Sequence, residues 1–458
     1  MRNALTYAQG QFAAAQAAWF EFLRLPSVSA DPAYHAPCRQ AADWTAARLR
    51  AIGIENVRFL ETAHHPIVYG DWLHAPGKPT VLIYGHYDVQ PPDPLPQWIS
   101  PPFEPTIRDG HVFARGATDN KGQLVAFLTA VESWLRGAGA LPLNVKFFIE
   151  GDEESGSAGI EAVEKYQREV ASDAILIADS PWFDQHTPAI YHAMKGLAYF
   201  EVVVRGANRD VHSGTFGNLM PNPINALANV LGAMCPPQGK IQIPGFYDPV
   251  IDLTAAERAE IARVPWQPDA IQREYGVAQL GVGEPEYTLL ERSWGRPTMD
   301  INGIGGGYQG AGSKTVIPNE AFAKVSFRLV ANQDCEVVGR LFETELRHRL
   351  SPGITLHKFL VHNNANPVMT PINDPFVQAG VAALREATGK AAIVARQPAS
   401  IPIAINLKRY AKAAILLFGM GYPDDNFHSP NEHLEIAQFE QGIISCIHML
   451  GKISAVKL

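Results

Sequence analysis

Apolar runs of strand length alternate with helical patterns through the first 180 residues. The apolar runs lie at residues 80–84, 143–149 and 174–178, and a similar run follows much later at 413–418. Helical spacing marks the opening segment before Pro26 and residues 120–135 and 160–168. Apolar strands that alternate with helices are typical of a parallel sheet covered on both faces. The sequence therefore predicts an α/β fold with a mostly parallel sheet sandwiched by helices.

The pattern changes after Tyr191. The segments AYFEVVVRG, KTVIPNEAFAKVSFRLV and ITLHKFLVH alternate with period two, and helical patterns occupy residues 224–233 and 336–350. Long connections rich in Gly and Pro separate them, including residues 236–249 and 302–312. Helix and strand patterns of the first kind resume with a helix at 375–388. We expect a smaller α+β domain at 197–366, inserted into a larger domain formed by residues 1–196 and 367–458.

Composition and charge narrow the class of protein. The 458 residues are 47% hydrophobic and 18% charged, which suits globular domains with more than one core. A net charge of -8 without a Lys/Arg cluster argues against nucleic acid and anionic membranes as partners. The sequence has neither a secretory signal pattern nor an apolar run of about 18 residues, so we expect a cytoplasmic location. The four cysteines lack CxxC spacing, which argues against disulfides and thiolate zinc sites.

Acids and histidines follow several of the apolar runs. In open α/β sheets, ligands bind beyond the carboxyl ends of the strands. The residues in such positions are His86, Asp88, Asp119, Glu153, Glu154, Asp179 and His428. Each alone has an ordinary structural explanation, such as a helix cap, a solvated turn or a hydrogen-bonded loop histidine. Together they favour a metal site, because histidine and carboxylate without thiolate are the ligands of hydrolytic zinc or manganese.

His86 and Asp88 are separated by one residue. Side chains alternate along an extended segment, so the two emerge on the same face. Asp88 can then accept a hydrogen bond from the ring nitrogen of His86 that does not face a metal. We expect Asp88 to orient the imidazole without binding metal itself.

Seven motifs occur in an order that resembles a known peptidase family. They are GHYDVQPPDP, RGATDNKGQ, EGDEESGS, DVHSGTFGN, GSKTVIP, SIPI and HSPNEH. Across nearly the whole chain they are similar to two-metal peptidases that include carnosinase-type dipeptidases, peptidase V, glutamate carboxypeptidase and succinyl-diaminopimelate desuccinylase. The segment HYDVQPPDP and the SIPI motif look most like the carnosinase-type cytosolic dipeptidases.

The resemblance implies a role for each acid and histidine at the strand ends. Asp119 would bridge two divalent metals. We expect these to be Zn²⁺, with Mn²⁺ as the alternative. The ligands would be completed by His86 and Asp179 on one metal, and by Glu154 and His428 on the other. Three carboxylate ligands leave one net positive charge on two divalent cations, which suits a metal-bridged hydroxide. Glu153 would remain unligated and act as the general base.

The family also has a cis peptide bond after its bridging aspartate, so we expect one between Asp119 and Asn120. Many relatives carry a second aspartate where Asn120 stands. The change removes a charge outside the expected ligand set, and we expect it to be tolerated.

The inserted domain would act as a lid and form a homodimer. The resemblance implies that His212 reaches the partner's active site and stabilises the oxyanion, and that Thr315 is also offered across the dimer. Without the resemblance, His212 would be an ordinary surface histidine. Arg328 lies in an apolar strand pattern, where a guanidinium can grip a substrate carboxylate in bidentate fashion. Pairing of Arg328 with a neighbouring acid is the structural alternative.

The two residues directly before the SIPI motif depart from the family pattern. Relatives usually have two glycines there, whereas this chain has Pro398 and Ala399. We expect Ser400 still to face the substrate, but added bulk and lost flexibility leave the preferred substrate side chain open.

Hydrolysis of dipeptides or short peptides with a free C-terminal carboxylate is the leading functional prediction. The alternative is an amidase that removes an N-acyl or N-carbamoyl group from an amino acid by the same mechanism. A phosphate-binding enzyme is disfavoured, because GATDNKGQ lacks the residues that a P-loop requires around its lysine. A non-catalytic relative would be expected to have lost a ligand or the base, and this sequence retains them all.

Overall fold

The computed structural model describes residues 1–157, 160–397 and 401–458, with the side chains of 160–162, 363 and 402 left out. The described chain forms two compact units. The first unit contains Met1–Ala193, Thr370–Ala395 and Ile401–Leu458. The second unit contains Met194–Met369 and also Arg396 and Gln397, a short return that the sequence pattern did not indicate. Within the described residues, no helix combines the length and apolar character needed to cross a bilayer.

Helices and strands are numbered separately along the chain. The helices are α1 (Arg2–Leu23), α2 (His35–Ile52), α3 (Lys121–Glu132), α4 (Ile160–Lys165), α5 (Gln167–Val170), α6 (Ser213–Phe216), α7 (Pro223–Met234), α8 (Ala255–Ala262), α9 (Pro268–Tyr275), α10 (Leu289–Gly295), α11 (Cys335–Arg349), α12 (Pro375–Thr388), α13 (Pro402–Ala411) and α14 (Ile436–Ile453). The strands are β1 (Glu55–Leu60), β2 (Ile67–Trp72), β3 (Thr80–His86), β4 (Thr106–Arg108), β5 (His111–Phe113), β6 (Asn144–Glu150), β7 (Ala174–Ile177), β8 (Ala189–Met194), β9 (Gly196–Arg205), β10 (Val211–His212), β11 (Thr298–Gly306), β12 (Val316–Ile317), β13 (Glu320–Leu329), β14 (Thr355–Ala365), β15 (Val368–Met369), β16 (Ile393–Gln397), β17 (Ala414–Leu417) and β18 (His433–Glu435).

The central sheet of the first unit has the strand order β1-β2-β6-β3-β7-β17-β8, and β16 pairs with β8. Strands β6, β3, β7 and β17 run parallel to one another, whereas β1, β2 and β8 pair in antiparallel fashion. Nearly every residue of the four parallel strands is buried, which is why their sequences read as continuous apolar runs. The prediction of a mostly parallel sheet flanked by helices is confirmed.

Helices α1, α3, α12 and α14 form a packed layer of the first unit. Helix α3 is buried on all sides from Lys121 to Val131, and most of these residues are apolar. Helix α1 contributes Trp19, which is fully buried and stacks on Phe439 of α14 with ring centroids 4.5 Å apart. This layer holds α3, and with it the residues that directly precede α3, in a fixed position.

The second unit is built on an antiparallel sheet of four strands in the order β11-β13-β9-β14. Burial alternates along the whole of β9, so one face of the strand packs on the core and the other does not. Helices α7 and α11 pack on this sheet, and Asn222 caps the start of α7 by accepting from the backbone N–H of Ile224 at 2.9 Å.

One local prediction differs from the structure, and some strands were not predicted. Residues 302–306, which we predicted to belong to a long connection, are the end of strand β11. This strand lies at the sheet edge and contains several glycines, so its sequence has neither the β-branched residues nor the alternation of a strong strand signal. Strands β1 and β2, which precede the first predicted strand, were not predicted either.

Candidate metal centre

The carboxyl ends of the parallel strands bring the predicted residues to one edge of the sheet. His86 is the last residue of β3 and is in register with Glu150, the last residue of β6. Glu153 and Glu154 follow β6 directly, and Asp179 follows β7. Parallel strands in register end side by side, so these side chains converge.

Five of these side chains form two groups that share Asp119. The His86 group consists of His86, Asp119 and Asp179, and the His428 group of Asp119, Glu154 and His428; within each group the ligand atoms lie within 4.8 Å of one another. Asp119 Oδ1 is 3.1 Å from His86 Nε2, and Asp119 Oδ2 is 2.9 Å from His428 Nε2. The two oxygens of one carboxylate therefore face different groups, which is the arrangement a bridging ligand needs.

The imidazole of His86 is oriented as a metal ligand would be. Its Nδ1 lies 3.1 Å from the backbone oxygen and 3.4 Å from the carboxylate Oδ1 of Asp88, so Nδ1 carries the proton that is shared with Asp88. Its Nε2 is buried and makes no well-aligned hydrogen bond with any described residue. A buried ring nitrogen that points at two carboxylates and lacks such a bond fits a cation.

The electrostatics of the centre also call for positive charge. Burial and, to a smaller extent, the nearby Asp119 carboxylate raise the pKa of Asp179 to about 6. Burial and the neighbouring Asp119 also raise the pKa of Glu154 well above its usual range. Burial opposes ionisation of Asp119 too, but the adjacent imidazoles of His428 and His86 hold its pKa below the usual range. Divalent cations would compensate this crowding of carboxylates.

Glu153 lies beside the centre without belonging to either group. Burial raises the pKa of its carboxyl well above the usual value, and the charges of Asp179 and Asp119 add to this effect while His86 opposes it. A carboxylate with a raised pKa that is not held by a cation has the properties of a general base.

Two residues that we did not predict hold Glu154 and Asp88 in place. Gln90 donates from Nε2 to Glu154 Oε2 at 2.7 Å. Ser29 donates from Oγ to Asp88 Oδ2 at 2.6 Å, and the same oxygen accepts the backbone N–H of Glu154 at 3.0 Å. Gln90 lies within the HYDVQPPDP motif and could have been suspected from the resemblance, whereas no sequence signal points to Ser29.

A buried ion pair holds the loop that carries Asp119. The carboxylate of Glu432 pairs with Arg115 at 2.7 Å, and both side chains are almost completely buried. The same carboxylate accepts the backbone N–H groups of Gly116 at 2.9 Å and of Thr118 and Asp119 at 3.0 Å. Glu432 therefore fixes the backbone immediately before the shared ligand, and sequence reasoning had given it no role.

The predicted cis peptide bond between Asp119 and Asn120 is present. The Asn120 side chain is buried, donates to the backbone oxygen of Ala178 and to Asp179 Oδ1 at 3.3 Å, and accepts from the backbone N–H of His86 at 3.2 Å. An amide can both donate and accept, so asparagine suits this position between two strand ends.

The remaining predicted residues lie elsewhere. His212 and Thr315 are neighbours in the second unit, where the backbone N–H of Ser213 donates to the Thr315 oxygen at 3.1 Å. The Nδ1 atom of His212 accepts the backbone N–H of Gly214 at 3.0 Å, so the neutral ring carries its proton on Nε2. Arg328 is in β13, half-buried and opposite Leu197 of β9. Ser400, Pro398 and Ala399 lie outside the described residues.

Comparison with known proteins shows one consistent set of relatives. The model of peptidase family M20/M25/M40 matches residues 82–451. The chain is 31% identical to the Cys-Gly metallodipeptidase dug1 of Schizosaccharomyces pombe, over 94% of each chain. It is 33% identical to the human Beta-Ala-His dipeptidase, over 82% of this chain and 75% of the relative. Among solved structures, the M20 family metallo-carboxypeptidase Sso-CP2 from Sulfolobus solfataricus superposes with a TM-score of 0.82, with 30% identity and coverage of 96% and 99% of the two chains.

Proposed function

This chain belongs to peptidase family M20/M25/M40 and is a metallopeptidase, and we propose that it cleaves dipeptides or short peptides that end in a free carboxylate. The similarity to a Cys-Gly dipeptidase and a Beta-Ala-His dipeptidase supports small peptides as the substrate class. Similarity to a metallo-carboxypeptidase supports recognition of the C-terminal end.

The observation that carries the proposal is the sharing of Asp119 by two groups of metal-ligating side chains. We propose that His86, Asp119 and Asp179 hold one divalent cation, and that Asp119, Glu154 and His428 hold a second. Zn²⁺ suits the mixed histidine and carboxylate ligands, and Mn²⁺ is the alternative. When bound, such cations polarise the substrate carbonyl and lower the pKa of a water molecule within their reach.

Glu153 supplies the proton transfers in this mechanism. Its carboxylate accepts a proton from the attacking water and delivers it to the leaving amine. Burial and its acidic neighbours raise its pKa, so Glu153 can carry that proton between the two steps. Asp88 acts indirectly by holding the imidazole of His86.

The second unit completes the site in the proposed homodimer. His212 donates from Nε2 to the developing oxyanion of the partner's substrate. Thr315 directly precedes β12, the strand that pairs with the His212 strand β10, and its backbone oxygen accepts the N–H of Ser213. Arg328 binds the substrate carboxylate, and Ser400 contacts the substrate. The first unit is then the catalytic domain and the second unit the lid and dimerisation domain.

Comparison of two substrate classes tests the proposal. We would reconstitute the metal-free chain with Zn²⁺ or Mn²⁺ and assay dipeptides, including Cys-Gly and β-Ala-His, beside N-acetyl and N-carbamoyl amino acids. We expect hydrolysis of dipeptides only with added metal, and loss of activity on chelation. Preferential cleavage of the N-acyl compounds would show an amidase instead, and activity that survives exhaustive chelation would contradict the metal mechanism.

A further inference from the structure

The short segment at residues 25–29, which follows helix α1, makes hydrogen bonds to residues that adjoin the candidate metal ligands. We call it the clamp segment. The buried amine of Lys121 donates to the backbone oxygen of Leu25 at 2.5 Å, which ties the start of α3 to the clamp segment. Ser27 donates from Oγ to the backbone oxygen of Tyr87 at 2.6 Å, next to His86. The clamp segment therefore contacts the stretch of chain that carries His86 and the stretch that carries Asp119.

Among the hydrogen bonds of the described residues, only that of Ser29 links the clamp segment to an acidic side chain near the candidate ligands. Its hydroxyl donates to Asp88 Oδ2 at 2.6 Å, and the Asp88 side chain is completely buried. The same oxygen accepts the Glu154 backbone N–H at 3.0 Å, while Oδ1 has no hydrogen-bond partner among the described residues and lies 3.4 Å from His86 Nδ1. The two donors on Oδ2 fix the rotation of the carboxylate, and this rotation sets where Oδ1 meets His86.

We propose that Ser29 is a positioning residue of the metal centre that acts through Asp88 on both cation groups. The inference rests on the proposed two-cation function. Removal of the hydroxyl leaves Asp88 Oδ2 with one donor in a fully buried place, so the carboxylate loses part of its support. His86 then loses a fixed partner on Nδ1, and the Glu154 backbone loses a fixed acceptor.

The effect should appear in metal affinity. Partners that orient a metal ligand typically change affinity by about 10–100-fold when they are removed. Ser29 contacts Asp88, which in turn contacts His86, so Ser29 is one contact further from the cation than Asp88 is. We therefore expect Ser29→Ala to weaken Zn²⁺ binding by about 10-fold, the lower end of that range. Because Asp88 contacts residues of both groups, we expect both binding steps to weaken.

Ser27 provides a matched control. It lies in the same clamp segment, is buried as Ser29 is, and makes a hydrogen bond of the same 2.6 Å length. Its acceptor is a backbone oxygen, so Ser27→Ala removes a comparable bond without touching the Asp88 carboxylate. Ser29→Thr keeps the hydroxyl and should keep the affinity.

The experiment measures Zn²⁺ binding to the metal-free full chain by competition with a chelator of known affinity, with the thermal midpoint of each metal-free variant recorded in parallel. We expect Ser29→Ala to bind Zn²⁺ about 10-fold more weakly than the native chain, and Ser27→Ala and Ser29→Thr to bind as the native chain does. If Ser29→Ala does not fold, Ser29→Cys replaces it, because a thiol is a weak donor.

A double-mutant cycle with Asp88→Asn tests whether Ser29 acts through Asp88. We expect Ser29→Ala to change affinity little once Asp88 has been replaced, because the two residues share one path to the ligands. Equal loss in both backgrounds, native affinity in Ser29→Ala, or an equal loss in Ser27→Ala would each overturn the inference. Failure of the native chain to bind Zn²⁺ would instead remove the proposed function itself.

Discussion

Asp119 Oδ2 lies 2.9 Å from His428 Nε2, although 309 residues separate the two in the chain. The other oxygen of Asp119 lies 3.1 Å from His86, so this carboxylate joins the two groups of side chains. The loop that carries Asp119 is fixed by Glu432, whose carboxylate accepts the backbone N–H groups of Gly116, Thr118 and Asp119. The backbone of Asp119 is therefore held by contacts within the protein, and substitutions of neighbouring residues can test proton transfer separately from metal binding.

Glu153→Gln should abolish most turnover and leave metal binding intact. Glutamine keeps the size of the side chain but cannot accept the proton, and loss of a general base costs about 10²–10⁴-fold in rate. The measurement is kcat on a dipeptide together with the zinc content of the purified variant.

Glu150→Gln is the matched control for Glu153→Gln. Burial raises the pKa of Glu150 to about 8, so this carboxyl is largely neutral at pH 7 and an amide resembles it. We expect Glu150→Gln to keep near-native kcat. Near-native turnover in Glu153→Gln would remove Glu153 from the base role.

Zinc should stabilise the protein more at pH 7.5 than at pH 5.5. Burial raises the pKa of Asp179 to about 6, whereas an unfolded aspartate titrates near pH 4. The metal-free folded state thus holds a proton that the unfolded chain has lost, and its stability falls as the pH rises through this interval. A cation must displace that proton, so its binding strengthens over the same interval.

The measurement for this pH effect is the difference in Tm between zinc-loaded and metal-free protein at the two pH values. The raised pKa values of His86 and Glu154 act in the same direction. Asp179→Asn removes one displaced proton and should reduce the pH dependence. A zinc-induced Tm shift that is equal at both pH values would contradict the prediction.

Mixed dimers should show whether His212 acts on the partner's site. His212→Ala and Glu153→Gln chains are each expected to be inactive, but a mixed dimer contains one site with both residues. After subunit exchange at equal amounts, random pairing predicts about a quarter of native activity.

The control for this mixing experiment combines His212→Ala with a chain that carries both substitutions, because no dimer then has an intact site. Exchange itself would be followed with differently labelled chains. Complete exchange without recovered activity would show that His212 serves its own subunit or none.

Arg328→Gln should remove the preference for a free C-terminal carboxylate. A hydrogen bond to a charged group contributes about 1.5–3 kcal/mol, which corresponds to roughly 10–150-fold in kcat/KM. The measurement compares a dipeptide with its C-terminal amide for both native and variant enzymes. We expect the native enzyme to favour the acid and the variant to favour neither; an unchanged ratio would assign Arg328 a structural role.

The sequence was most informative where residues follow buried strands. His86, Glu154 and Asp179 could be found because β3, β6 and β7 are continuous apolar runs, and the end of such a run is visible in the sequence. Asp88 could be placed because side chains alternate along an extended backbone. These inferences need only local geometry and the rule that parallel strands end together.

The supporting contacts could not be predicted in the same way. Ser29 and Asp88 are 59 residues apart, and Arg115 and Glu432 are 317 residues apart. No periodicity links such pairs, because they depend on how separate loops pack in three dimensions. Strand β11 was also missed in part, since glycines at a sheet edge produce no strand pattern.

The order of the candidate ligands along the chain determines which group can form first during synthesis. His86, Asp119 and Asp179 all precede the second unit in the sequence, whereas His428 comes after it. A ribosome therefore releases the three ligands of the His86 group long before His428 emerges. If these side chains hold two cations as we propose, a nascent chain can form the His428 group only after the whole second unit has been synthesised, whereas the His86 group is available before it.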